Sequence, residues 1–188
     1  MQGLKCLVYL DDIIVFGETL QVHNDKLRDV FARLRMHNLK LQPDKCEFLR
    51  KEVTYLGHKL TTEGLLPDSD KVKDVKEFPT PTNIRQLKRI LGLCGYYIIF
   101  IPNFNKIAKP LTELLRKKTP FLWNRRTDEA FIILKDLLTS ESLLQHPDFK
   151  KPFLLTTDDS NEALGAFLRQ GPIGRDLPIA FASGTHIC

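Results

Sequence analysis

Two short apolar runs open the chain: Cys6-Leu7-Val8-Tyr9-Leu10, and Ile13-Ile14-Val15-Phe16. Each is β-branched or aromatic and bounded by polar residues, which predicts two buried strands. Between them lie Asp11 and Asp12, where the chain must turn back on itself. Leu20 to His37 follows a different period. Leu27, Val30, Phe31 and Leu34 recur at i, i+3, i+4 and i+7, the stripe of an amphipathic helix. Asn38 is a suitable left-handed stop for it. Leu39-Lys40-Leu41, a turn at Pro43-Asp44 and Cys46 to Leu49 follow. Val53 to Leu60 alternates like a strand, and Gly57 inside it implies that another backbone or a ligand approaches closely. Gly64 and Pro67 close this unit. Asp68 to Phe78 predicts a short helix ended by Pro79.

Pro79-Thr80-Pro81-Thr82 is the clearest linker. Beyond it, Ile84, Leu87, Leu91 and Cys94 form one apolar stripe, with Arg85, Lys88 and Arg89 on the opposite face. Pro102 breaks the next apolar run, and a helix starting at Pro110 would pack Leu111, Leu114 and Leu115. Thr127 is a good N-cap, followed by Asp128 and Glu129 in the first turn and by Ala130, Ile133, Leu134, Leu137 and Leu138 facing inward. Pro147-Asp148 and Lys150-Lys151-Pro152 bound another junction. Phe153 to Thr157, Ala163 to Leu168 and Pro178 to Ala182 read as strands. The elements divide the chain into 1–79, 80–118, 119–150 and 151–188, an α+β organisation without internal repeats.

Charge sharpens this picture. The segment 80–126 carries ten basic residues against Glu113 alone, a net +9, while the remainder of the chain is −4. A basic block beside an acidic, metal-seeking one suggests a polyanion held by one part and processed by another. The 43% apolar content supports real cores and excludes wholesale disorder. The longest apolar run, near Ile90 to Ile101, is too short to span a bilayer. Met1 to Lys5 has neither the length nor the cleavage site of a secretory signal, and no myristoylation motif. Cys6, Cys46, Cys94 and Cys188 are scattered, which argues against a zinc site or a disulfide framework and for free thiols.

Asp11-Asp12 is the sharpest chemical signal. Two-residue hairpins favour Asn-Gly or Asp-Gly, and neighbouring carboxylates repel unless a cation lies between them. Lys5 is the nearest basic residue, so a bound divalent ion is the natural neutraliser. Mg²⁺ or Mn²⁺ prefers such oxygen ligands. The competing reading is an ordinary exposed turn. Elsewhere, His23, His37, His58, His146 and His186 show no metal spacing, Ser160 has no nearby His base, and no Gly-rich phosphate loop is present.

Tyr9-Leu10-Asp11-Asp12 resembles the Y-x-D-D box of reverse transcriptases. After it come Leu39-Lys40-Leu41, Lys45-Cys46-Glu47-Phe48, Tyr55-Leu56-Gly57-His58, Gly92-Leu93-x-Gly95-Tyr96-Tyr97, Phe121-x-Trp123, Ala130-Phe131, Leu134-Lys135, Pro147-Asp148-Phe149 and Thr156-Thr157-Asp158. In this order the series resembles the pol polyprotein of gypsy-type LTR retrotransposons over essentially the whole chain. The resemblance implies part of a polymerase palm (1–79, antiparallel sheet with helices), a helical thumb (80–118) and a connection (119–150). The first strands of an RNase H-like α/β domain (151–188) would complete the chain.

It further implies that Asp11 and Asp12 hold catalytic Mg²⁺ or Mn²⁺ for nucleotidyl transfer. Two ions roughly 3.5–4 Å apart would act on the primer 3′-hydroxyl and the leaving pyrophosphate. Tyr9 would lie beside the primer end, unless it is a core tyrosine. Tyr55, Leu56, Gly57 and His58 would begin a primer-grip hairpin, or a plain palm strand with a tight glycine. Arg85, Lys88 and Arg89 would contact duplex phosphates without reading sequence, or form a solvated helix face. Asp158 would be the first RNase H metal ligand, with Asp159 in place of the usual small residue and Ser160-Asn161 following the pattern. Partners by resemblance are an RNA/DNA primer–template, dNTP and the rest of the polyprotein, with no membrane, in cytoplasmic particles.

The family's remaining carboxylates lie upstream of Asp11 and beyond Cys188, so the resemblance implies a chain that is inactive alone. Ile98-Ile99 stands where relatives carry two basic residues. The alternative is therefore a catalytically silent, domesticated or decaying retroelement relic that at most binds nucleic acid. A palm lacking its first strands should also leave sheet edges open and ends poorly satisfied.

Overall fold

A computed structural model describes residues 6–140, 143–160, 163–172 and 176–185. Lys5, Asn161, His186 and Cys188, named above, lie outside them. The chain divides into two compact units, Met1–Lys51 and Glu52–Cys188.

In the first unit, β1 (Cys6–Tyr9) pairs antiparallel with β2 (Asp12–Val15), with Tyr9 opposite Asp12 and Cys6 opposite Val15. The two-residue turn is therefore Leu10-Asp11, and Asp12 is the first residue of the returning strand. Leu10 takes a left-handed φ of 50°, whereas Asp11 does not. Placing a branched side chain there costs about 1 kcal/mol. Helix α1 (Leu20–Met36) starts where the Thr19 hydroxyl accepts the Val22 N–H at 3.2 Å, and it ends before Asn38, left-handed at φ 53° as expected. Among the described residues of this unit only Cys6 and Val30 are buried. The stripe of α1 therefore has little to pack against within its own unit, and Phe31 is exposed.

The second unit begins with a three-stranded antiparallel sheet: β3 (Val53–Tyr55), β4 (His58–Leu60) and β5 (Leu65–Pro67). The single strand expected over Val53 to Leu60 is thus a hairpin folded at Leu56-Gly57, both left-handed, with φ 48° and 65°. Helix α2 (Ser69–Lys76) is capped by Asp68. Helix α3 (Ile84–Tyr96) is capped by Asn83, whose side chain accepts the Gln86 N–H at 3.0 Å. It buries Leu87, Ile90 and Cys94, and Ile84 is exposed instead of completing the stripe.

Helix α4 runs from Phe104 to Glu113, so Pro110 lies inside it, not at its start. Burial of Phe104, Ala108 and Leu111 holds the helix together across the hydrogen bond that Pro110 cannot make. Helix α5 (Arg125–Thr139) is capped by Asn124, and Thr127 is the reciprocal partner in a capping box, not the cap itself. Ala130, Phe131, Leu134 and Leu138 face inward while Ile133 is exposed.

Strands β6 (Leu154–Asp159), β7 (Leu164–Gln170) and β8 (Leu177–Gly184) form an antiparallel sheet in that order. One core built around Val75, Leu87, Ile90, Tyr97, Phe100, Leu111, Leu134 and Leu144 joins these helices, with Leu65 and Phe181 packed against it. No helix among the described residues is long and apolar enough to cross a membrane.

Candidate functional site

Asp11 and Asp12 are both exposed at the tip of the β1–β2 hairpin, and neither forms an ion pair among the described residues. A fixed Lys or Arg partner, which would have made them a structural pair, is therefore lacking there. Tyr9, 55% exposed, sits at the same tip opposite Asp12. Two neighbouring carboxylates of this kind suit an oxygen-coordinated divalent ion. Among the described residues, however, no three His, Cys, Asp or Glu side chains gather as a complete set. The pair fits part of a metal site and not the whole of one.

The second cluster is built on Tyr55 to His58. The Leu56-Gly57 turn is held from α3, whose last residue is Tyr96. The Tyr96 hydroxyl donates to the Leu56 carbonyl at 2.6 Å, and the hydroxyl of the next residue, Tyr97, donates to the Gly57 carbonyl at 2.7 Å. The Asp68 N–H also donates to the Gly57 carbonyl, at 3.1 Å. His58 fills the space between the rings. It stacks on Tyr96 with centroids 5.5 Å apart and planes at 13°, and it meets Tyr97 edge-on at 5.5 Å.

Burial lowers the His58 pKa below its ordinary value, and its Nδ1 is buried without a hydrogen-bond partner. The Tyr97 phenol is pushed up to about 12, first by burial, then by the charges of Asp68 and Tyr96. It thus stays a protonated donor at neutral pH. Gly57 is required here on two counts. Its φ is left-handed, and a Cβ would sit 3.2 Å from the Tyr97 hydroxyl.

Arg85, Lys88 and Arg89 are exposed on α3, and none forms an ion pair among the described residues. Arg89 lies 5.8 Å over the Phe78 ring. Ile98 and Ile99 are half-buried against the core of this unit. Residues placed so would have to desolvate their charge if they were basic, so the apolar pair contributes to packing.

Asp158 is exposed on β6, opposite Gly165, which is in turn opposite Ser183 on β8. Facing residues of paired strands share a side of the sheet, so the three make one row. The start of α4 docks on this row. The Asn103 side chain occupies the space a Cβ on Gly165 would need, and the Asn105 N–H donates to the Ser183 hydroxyl at 3.0 Å. Asp158 does not belong to a donor cluster among the described residues.

Tyr96 and Tyr97 are the residues whose function the sequence left unassigned. A signal existed for Tyr97, which is buried: a Tyr inside a core must send its hydroxyl to a partner.

Residues 1–60 match the family described as reverse transcriptase (RNA-dependent DNA polymerase), and residues 123–186 match an RNase H-like domain found in reverse transcriptase. The chain is 49% identical over 181 residues to the retrovirus-related Pol polyprotein from transposon 297 of Drosophila melanogaster, covering 96% of this chain and 17% of that one. It is 37% identical over 195 residues to the Pol polyprotein from transposon gypsy of the same fly, covering 97% of this chain and 18% of that one. Among solved structures, the foamy viral protease–reverse transcriptase in complex with RNA/DNA hybrid superposes with a TM-score of 0.80 at 28% identity. That match covers 97% of this chain and 25% of the viral one. The chain thus spans less than a fifth of the length of these two curated relatives.

Proposed function

This chain belongs to the reverse transcriptase–RNase H family of retrotransposon Pol polyproteins, and from that premise we propose that it forms the nucleic-acid-holding part of an RNA-directed DNA polymerase. The observation that carries the reading is the exposed, cation-free acidic pair at the tip of a tight hairpin, within the segment that matches a polymerase. Asp11 would be the direct metal ligand and Asp12 its companion, with Mg²⁺ or Mn²⁺ as the ion. Such an ion would supply charge neutralisation for the primer 3′-hydroxyl and the departing pyrophosphate.

The chain's own residues do the rest by position. The β1–β2 turn keeps the two carboxylates at the tip, and Tyr9 on the same hairpin would lie beside the primer end. Tyr55, Leu56, Gly57 and His58 would present backbone to the primer strand. Arg85, Lys88 and Arg89 would pair with phosphates of the duplex, which binds without sequence preference. Asp158 would hold an ion for cleavage of the RNA strand of a hybrid. The partners are an RNA/DNA primer–template, dNTP and the rest of the polyprotein. On this reading, palm, thumb, connection and RNase H-like parts fall at 1–79, 80–118, 119–150 and 151–188.

Primer extension by the full polyprotein carrying Asp11→Asn tests the proposal. Removing one ligand charge should reduce synthesis by more than about a hundredfold. Synthesis at the parental rate would overturn the role given to the pair.

A further inference from the structure

The second unit contains a clamp whose task goes beyond packing. The Leu56-Gly57 turn has two carbonyls, and the hydroxyls of Tyr96 and Tyr97 engage one each, at 2.6 and 2.7 Å. With both carbonyls engaged, the polar groups this turn has left are the N–H groups of Leu56 and Gly57, which donate to no partner among the described residues. Successive free N–H groups of a tight turn can face one anion. Leu56 holds its φ of 48° against the preference of a branched residue, so the turn needs something outside itself to fix it. The two phenols are that restraint, and His58 stacked on Tyr96 and edge-on to Tyr97 sets the spacing of their rings.

The clamp and the basic face share one helix. Arg85, Lys88 and Arg89 occupy the first half of α3, Tyr96 is its last residue and Tyr97 its C-cap. With a rise of about 1.5 Å per residue, the cations and the clamp lie roughly 10–16 Å apart along one rigid rod. That separation spans roughly three to five phosphates of one strand, spaced about 3.4 Å along a duplex axis per base pair.

We propose that Tyr96 and Tyr97 are positioning residues that lock the Leu56-Gly57 turn with its N–H groups toward a backbone phosphate of the bound duplex, in fixed register with the cations of α3. This rests on the duplex-binding reading above.

The test uses the 188-residue chain, a fluorescently labelled RNA/DNA hybrid, and hydrogen exchange over residues 53–68. Tyr96→Phe, Tyr97→Phe and the double variant keep the rings against His58 and remove only the hydroxyls. Tyr96 is 53% exposed, so its variant leaves the core intact. The double variant should bind the hybrid roughly tenfold more weakly. The salt dependence of binding should be unchanged because every cation remains, and exchange across the hairpin should speed up. A merely structural role would lower thermal stability and leave affinity at low temperature untouched, which would overturn the proposal. So would unchanged exchange. Arg85→Ala/Lys88→Ala is the separating control. If it binds as tightly as the parent while the Tyr variants bind weakly, the duplex reading of the basic face fails and the clamp stands. If it weakens binding and the Tyr variants do not, the clamp fails alone.

Discussion

Removing the three cations of α3 gives the most quantitative check on the proposed binding of nucleic acid. Arg85, Lys88 and Arg89 are exposed, share one face of a helix whose opposite face is buried, and form no ion pair among the described residues. Their charge is thus available to a polyanion, and only Arg89, over the Phe78 ring, also contacts the fold through its charge. Each phosphate neutralised releases condensed counterions, so log K falls against log[salt] with a slope of about −0.9 per contact. Three contacts contribute about −2.7. Raising salt from about 50 to about 200 mM should therefore weaken the parent roughly 40-fold more than the Arg85→Ala/Lys88→Ala/Arg89→Ala variant. Arg89 also lies over the Phe78 ring, so its share should be the smallest of the three. Fluorescence anisotropy with a labelled hybrid across a salt series measures both slopes. If the slopes differ by less than about 1, fewer than two of these side chains touch phosphate and the assignment of this face is wrong.

Two further outcomes test the structure that carries the site. Because burial holds the folded His58 pKa below the 6.5 of the unfolded chain, the unfolded state takes up the proton more readily. Stability should be full above pH 6.5 and decline as pH falls through the lowered folded value. Comparing urea midpoints near neutrality and near about pH 5 should show a larger drop for the parent than for His58→Phe, and equal drops would refute the linkage. Gln170, only 4% exposed, donates to the Asp148 and Lys151 carbonyls at 2.8 and 3.1 Å and accepts the Asp148 N–H at 2.9 Å. Gln170→Ala strands all three groups and should cost about 2–3 kcal/mol in urea unfolding, and a loss below about 0.5 kcal/mol would show that water replaces the network freely.

What could be read from the sequence tracks how local the determining physics is. The β1–β2 hairpin, α1, α3 and the three C-terminal strands were legible as elements, because period and punctuation are local, although the burial expected of the first two strands is met only at Cys6. Leu56-Gly57 misled. A strand-like alternation runs straight through it, and what folds it into a hairpin is a pair of hydroxyls forty residues away. Pro110 misled for a related reason: a proline marks a helix start unless tertiary burial, here of Phe104, Ala108 and Leu111, outweighs the missing hydrogen bond. At α5 the capping box displaced the expected cap from Thr127 to Asn124, since both residues belong to one reciprocal pair. The candidate site residues Asp11, Asp12, Arg85, Lys88 and Arg89 were visible as charge out of place. The clamp was not, because tyrosine at a helix end looks like packing until its hydroxyl is followed to its acceptor.

The parts of the second unit are tied together by a strap and not by a flexible linker. The segment from Leu144 to Lys151 bonds on one side to β5 and the turn before it. Leu144 and Leu65 exchange backbone hydrogen bonds at 3.0 and 2.7 Å, and the His146 Nε2 lies 2.8 Å from the Thr61 carbonyl. On the other side the Gln145 amide donates to the Gln170 and Leu177 carbonyls at 2.8 and 2.7 Å, and its backbone N–H donates to the Pro178 carbonyl at 2.7 Å. The approach at Gly64 is so close that a Cβ there would overlap the Leu144 carbonyl, which leaves no room for the strap to slide. The sheet that bears the clamped turn and the sheet that bears Asp158 are thus bonded to the same short segment and packed on the same core. A duplex held by the turn and by α3 would meet Asp158 at a separation set by covalent geometry and packing. The turn, α3 and Asp158 would then meet one duplex in a register that needs no conformational signal within this unit, only a nucleic acid stiff enough to span them.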